Sequence, residues 1–159
     1  MIGVKIITVG TLKESYLRDA AAEYTKRLGG FCRFSEVCLK EERLSDAPTA
    51  GEIKNALSRE AERILAEMPK RAYKIAMCVE GKQLSSEELA KQLGDVSATH
   101  GEVCIVIGSS FGLDETVKAA CDMRLSVSKL TFPHQLMRVI LLEAIYRGFN
   151  ILKGTHYHK

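Results

Sequence analysis

The closing segment of the chain, "SVSKLTFPHQLMRVILLEAIYRGFNILKGTHYHK", gathers the side chains best suited to chemistry. Glu143 and Arg147 stand four residues apart in it, a spacing that puts two side chains on one face of a helix. A structural ion pair is the ordinary use of that spacing. On a helix that is otherwise almost wholly apolar the pair costs desolvation, so a functional use competes with it. Tyr157 and His158 follow in the terminal Tyr-His-Lys, and an imidazole titrates close to neutral pH. His156 and His158 do not by themselves suggest a metal site, because no carboxylate or third ligand accompanies them, and no metal is expected.

Three other stretches supply a place for a ligand rather than a reactive group. They are "VEGK" at Val79–Lys82, "IGSSFG" at Ile107–Gly112 and "SVSKLTFPH" at Ser126–His134. In each, an apolar run gives way abruptly to Gly, Ser or Thr. Glycine lets backbone approach a ligand closely, and the freed amides and carbonyls need partners. In open α/β sheets ligands collect at the carboxyl ends of strands, so three such ends together point to a small-molecule pocket. No G-x-x-x-x-G-K-[ST] loop, G-x-G-x-x-G helix start, G-x-S-x-G elbow or H-E-x-x-H motif is present.

The elements that must position these residues alternate along the chain. "VKIITVG" reads as a buried strand and "ESYLRDAAAEYTKRL" as a helix ended by Gly29 and Gly30. "FCRFSEVCL" is a second strand and "SDAPTAGE" a loop. "EIKNALSREAERILAEM" is an amphipathic helix with the stripe Ile53, Leu57, Ala61, Ile64, Leu65 and Met68. "YKIAMCV" and "EVCIVIG" are nearly continuous apolar runs, as in strands covered on both faces. Between them Ser85 and Glu88 fit a capping box. "LDETVKAAC" is a short helix, "MRLSV" a strand, and Pro133 opens the last helix. This order predicts a single α/β domain over 1–159, a mostly parallel sheet with helices on both faces. The last helix is too apolar for a surface. One side should meet the sheet and the other a second copy of the chain, giving a homodimer.

Composition is that of a globular chain: 159 residues, 46% hydrophobic and 27% charged, with a net charge of +3. No apolar run is long enough to span a bilayer, and "MIGVKIITVG" lacks the pattern of a signal peptide, so a cytoplasmic location without membrane contact is expected. Five cysteines without a C-x-x-C pair argue against a disulfide framework or zinc. The carboxyl end is basic, with Lys129, Arg138, Arg147, Lys153 and Lys159 against Glu143 alone.

"SKLTFPHQLMRVILLEAIYRGFNILKGTHYHK", with "IGSSFGL", "EGKQLSSEELA" and the opening "VKIITVGTLKESY", closely resembles the RlmH (YbeA-like) family of SPOUT-class methyltransferases. "LTFPHQLMR" and "YHK" are its specific signatures, and the similarity runs from the first strand to the last residue. The resemblance implies a carboxyl-terminal trefoil knot, a homodimer, S-adenosyl-L-methionine as cofactor, and methylation of N3 of a pseudouridine in 23S ribosomal RNA within the ribosome. It places the cofactor at Met77, Gly108, Val127, Ser128, Lys129, Leu130, Thr131 and Phe132, on the same three strand ends. The family usually has a second glycine where this chain has Ser109, whose side chain must either crowd the cofactor or point away.

An imide nitrogen is a poor nucleophile until its proton leaves, so the implied reaction calls for a base or a stabilising cation. Glu143, Arg147, Tyr157 and His158 are the candidate catalytic set: His158 to accept the proton, Tyr157 to contact the base, Arg147 to stabilise charge, Glu143 to hold Arg147. His134 is expected to cap or pack at the helix start. Two rival readings remain, a SPOUT-like enzyme acting on tRNA and a dimeric module that only binds a nucleotide-like ligand.

Overall fold

Val4, Ile6, Ile7 and Val9 are all but inaccessible to solvent, so the first strand, β1 (Gly3–Val9), must be covered on both faces. The computed structural model, which describes residues 1–159, shows what covers it. After β1 come α1 (Ser15–Leu28), β2 (Arg33–Leu39), α2 (Ala50–Glu67), β3 (Tyr73–Gln83) and α3 (Ser86–Thr99). The chain closes with β4 (Glu102–Ile107), α4 (Glu115–Ala119), β5 (Met123–Ser126) and α5 (His134–Lys153). The five strands form one sheet in the order β2-β1-β4-β3-β5, and every pair is parallel. Parallel strands need crossovers, which is why a helix follows each strand.

Those helices divide between two cores, as the alternation predicts. On one face α1, α3 and α5 contribute Ala21, Leu28, Leu89, Leu93, Leu141, Leu142, Ile145 and Phe149, packed on Val4, Ile6, Ile75 and Ile105. On the other, α2 and α4 contribute Ala61, Ile64 and Val117 over Ile7, Val9, Ala76 and Val106. Fully burying one Leu or Ile side chain stabilises by roughly 2 kcal/mol, so α5 is fastened mainly by Leu141, Leu142 and Ile145.

Local signals explain most boundaries. Ser85 accepts from the Glu88 amide and the Glu88 side chain returns to the Ser85 amide, the expected capping box. Thr49 and Glu52 form a second box at α2, in a stretch read from sequence as loop. The buried stripe of α2 also differs from expectation. It runs through Ala56, Glu60, Ala61 and Ile64, while Leu65 is exposed, because the next residue lies about 100° around the helix.

The largest departure is β3, which continues past Val79 to Gln83. Its pairing with β5 shifts register between Met77 and Lys82, so that Leu125 is opposite both of them. Gly81 permits this. A Cβ there would lie 2.6 Å from the Leu125 carbonyl carbon, so only glycine lets β3 fold so closely over β5.

Candidate functional site

Because β4, β3 and β5 are neighbours in a parallel sheet, their carboxyl ends lie side by side. The loops that follow β4 and β5, with Met77 to Glu80 of β3, line a cavity of about 800 Å³. Its wall contains Met77 and Cys78 from β3, Ile107 and the following Gly108 at the end of β4, and Leu125 and Ser126 of β5 with Val127 and Ser128 just after it. The size and the mixture of apolar and small polar groups suit a nucleoside-sized ligand. Of the sequence-predicted cofactor residues, Met77, Gly108, Val127, Ser128, Leu130, Thr131 and Phe132 line it; Lys129 shares the loop but is not part of the wall.

The β4 loop is drawn tight at this wall. Gly112 donates its amide to the Ser109 carbonyl at 2.9 Å, and a Cβ on Gly108 would meet the Gly112 carbonyl oxygen at 2.3 Å. Ser109 points its hydroxyl away from the cavity's centre to the Glu60 carboxylate, at 2.9 Å, which settles the direction of that side chain. His134 makes no cap: Pro133 occupies that position with no side-chain hydrogen bond, and His134 lines the cavity instead.

The four candidate catalytic residues meet each other, and not in this cavity. Arg147 grips Glu143 Oε1 through Nε at 2.8 Å and Nη2 at 2.6 Å. The other oxygen, Oε2, accepts from the Tyr157 hydroxyl at 2.8 Å. The Arg147 guanidinium lies 4.7 Å from the Tyr157 ring centre, a cation–π contact, and Tyr146 packs edge-on against the same ring. His158 approaches Arg147 Nη1 with Nδ1 at 3.5 Å and Glu87 Oε1 with Nε2 at 2.9 Å. A carboxylate only accepts, so Nε2 is the donor to Glu87, which leaves Nδ1 as the nitrogen that faces Arg147 Nη1.

Electrostatics separate the roles. Burial first, then the hydrogen bond and charge of Glu143, push the Tyr157 phenol up to about 12. It is therefore a donor at neutral pH and not a base. The hydrogen bond from Arg147 to Glu143 holds the guanidinium more firmly protonated than usual. None of the four residues lines the large cavity. At about 1.5 Å of rise per residue, Arg147 lies about 20 Å along α5 from His134.

Internal contacts break up the basic carboxyl end. Arg138 is buried at 6% exposure and donates to the Gly10 carbonyl, so it offers nothing to a partner. Lys153 reaches the Gly30 carbonyl over the Phe31 ring. Sequence reasoning passed over Glu60 and Glu87. Glu60 had a signal, a carboxylate inside the apolar stripe of α2; Glu87 had none, since its meeting with His158 depends on the folded tail.

No cluster of three or more His, Cys, Asp or Glu side chains is arranged to hold a metal ion, and all five cysteines are free. No helix is long and apolar enough to cross a membrane.

Residues 2–158 match the family model described as "Predicted SPOUT methyltransferase". The chain belongs to the SPOUT methyltransferase family. It is 47% identical over 157 residues to the ribosomal RNA large subunit methyltransferase H of Streptococcus thermophilus, covering 98% of this chain and 99% of that one. The protein of the same name from Bifidobacterium adolescentis is 46% identical over 158 residues, with the same coverage. Among solved structures, a probable methylase family protein from Haemophilus influenzae superposes with a TM-score of 0.57 at 17% identity, covering 100% of this chain and 72% of that one. The tRNA (m1G37) methyltransferase of Aquifex aeolicus gives 0.56 at 15%, covering 99% and 73%. At those identities the two structures speak for the SPOUT fold and not for a substrate.

Proposed function

We propose that this SPOUT chain is an S-adenosyl-L-methionine-dependent methyltransferase that methylates N3 of a pseudouridine in 23S ribosomal RNA, acting on the ribosome as a homodimer. The observation that carries the reading is the cavity where the ends of β3, β4 and β5 converge, in a chain nearly half identical to proteins named ribosomal RNA large subunit methyltransferase H. Gly108 and the backbone of Val127 to Phe132 would hold the cofactor, with Met77, Ile107 and Leu125 against its apolar parts. When bound, S-adenosyl-L-methionine supplies an electrophilic methyl group. The close passage of β5 beneath Gly81 agrees with a trefoil knot.

The rest of the work falls to side chains. His158 accepts the imide proton at Nδ1 once the base displaces the long Arg147 Nη1 contact there, and Glu87, already bonded to Nε2, stabilises the imidazolium that results. Arg147 offsets the negative charge left on the uracil ring, and Glu143 fixes its plane through two hydrogen bonds. Tyr157 remains protonated, ties the tail to Glu143, and presents its ring near the base.

The separation of tail and cavity in one chain supports the dimer. A two-fold partner laid along α5 brings the tail of one chain to the cavity of the other. The outer stripe of α5 suits such a seam: Leu136 is exposed, and Ile140 and Ile151 are half-buried. Weak net charge favours recognition of folded ribosomal RNA by shape over a strong grip on free strands.

The test is incubation of the protein and S-adenosyl-L-methionine with ribosomes from cells lacking it, followed by mass spectrometry of the rRNA. One added methyl on a pseudouridine of the large-subunit RNA is expected, and much less on protein-free RNA. A methyl on tRNA alone, or none, would overturn the assignment.

A further inference from the structure

Glu60 is a carboxylate in the wrong place for a surface helix. It sits at 3% exposure in the buried stripe of α2, and both oxygens are engaged. Oε1 accepts from the Ser109 hydroxyl at 2.9 Å, and Oε2 accepts the backbone N–H of Glu42 at 3.0 Å. Burial pushes this carboxyl above the usual range, the two hydrogen bonds pull it back, and the nearby Glu41 and Glu42 add to the rise. An acid kept buried at such a cost needs both bonds, since losing either leaves a polar atom without water or a partner.

The two partners belong to different loops. Glu42 lies after β2, where its own side chain pairs with Arg63 of α2. Ser109 is the residue after Gly108 in the β4 loop. That loop separates two spaces: Ser109, Ser110 and Phe111 line both the large cavity and a second one of about 470 Å³, and Glu60 lines only the second. On the cavity side the loop is closed by its own Ser109–Gly112 bridge. Toward the second cavity, the bond to Glu60 is the side-chain hydrogen bond that ties it to α2.

We propose that Glu60 is a positioning residue for the cofactor loop, holding Ser109 against α2 so that the Gly108–Gly112 wall keeps the shape of the large cavity. This rests on the reading of that cavity as the S-adenosyl-L-methionine site. Glu60 touches neither cofactor nor RNA; it acts through Ser109.

The chemistry of the pair selects the variants. Glutamine can accept the Glu42 amide with Oε1 and donate Nε2–H to the Ser109 oxygen, so Glu60→Gln preserves the tie. Glu60→Leu keeps the volume and loses both bonds, and Ser109→Ala cuts one. Calorimetric titration of the full-length protein with S-adenosyl-L-methionine, beside melting temperatures and KM for ribosomes, tests the idea. Ser109→Ala and Glu60→Leu should each weaken binding about tenfold, and the double variant no more than the worse single one. Glu60→Gln should bind within about twofold of wild type, and KM for ribosomes should hold throughout.

Wild-type affinity in Ser109→Ala overturns the proposal, whether or not Glu60→Leu folds, as do losses that simply add in the double variant. A lowered melting temperature with unchanged affinity would make Glu60 merely structural. If wild-type protein fails to bind S-adenosyl-L-methionine, the cofactor reading falls and this role with it. Equal binding by wild type and variants removes the role of Glu60 alone.

Discussion

The Tyr157 hydroxyl donates to Glu143 Oε2 at 2.8 Å, the oxygen that Arg147 leaves free. This bond brings the carboxyl-terminal tail back along α5 and sets its ring edge-on to Tyr146 and against the Arg147 guanidinium. The tail is thus a built part of the structure, and Arg147 lies about 15 Å along α5 from Met137, the last residue of that helix in the cavity wall.

Removing Tyr157–Lys159 takes away the group proposed to accept the proton, along with the phenol, and touches nothing in the cavity wall. Turnover should fall by at least about 100-fold, the usual contribution of a positioned base. Affinity for S-adenosyl-L-methionine should stay within about twofold, as for a change made far from the binding site. Paired measurements of single-turnover methylation and cofactor binding decide it. Undiminished turnover would reject the catalytic role of the tail.

Sharing of sites between subunits has its own signature. Arg147 and Tyr157 pack together in one chain, so both belong to the same half of a composite site and cannot complement each other. The informative mixture joins a cavity variant, Gly108→Ala, whose new Cβ would strike Gly112, with a tail-deleted chain. Each alone should be inactive. Random re-pairing makes about half the dimers mixed, each with one complete site, so about a quarter of wild-type activity should return. No recovery in verified heterodimers would place each site within a single chain.

Tyr157 should be identifiable by its titration. Its phenol is raised from 10.0 to about 12 by burial and Glu143. Tyr157→Phe should therefore remove a tyrosinate absorbance step near pH 12. The folded state holds this proton more tightly than the unfolded chain. Its contribution to stability is complete below pH 10 and is lost as pH rises toward 12. A missing step near pH 10 would mean the tail is not docked on Glu143 in solution.

Much of this was legible because local rules and global fold agree. The apolar runs of β1, β3 and β4 announce strands covered on both faces, and Ser85 with Glu88 marks a helix start. Abrupt changes to Gly, Ser and Thr located the ends of β4 and β5 in one cavity, whereas "VEGK" lies within β3 and only Val79 and Glu80 of it reach the wall. What escaped depends on contacts between distant parts. Nothing in "VEGK" reveals that β3 runs on to Gln83, because Gly81 yields to a strand many residues later. Arg138 looked like part of a basic surface, yet its position among apolar neighbours on α5 turned it inward. Ser109 could be read only as a departure from glycine, since its partner Glu60 lies on another helix.

Arg138 supplies the remaining prediction. It is 6% exposed, with Nη2 on the Gly10 carbonyl at 2.7 Å, Nη1 3.5 Å from Glu36, and Nε without a partner. The contact pins the first turns of α5 to the end of β1, and those turns carry His134 and Met137 in the cavity wall. Arg138→Met keeps the stem's packing but loses the charged hydrogen bond, which should cost about 2 kcal/mol. Glu36 is partly exposed and can rehydrate, which keeps the loss from growing further. The urea midpoint should fall with an unchanged slope, and S-adenosyl-L-methionine binding should weaken. The Tyr157 step near pH 12 should survive, because Leu141, Leu142 and Ile145 still hold the later turns of α5. An unchanged midpoint would show that this guanidinium does not anchor the helix.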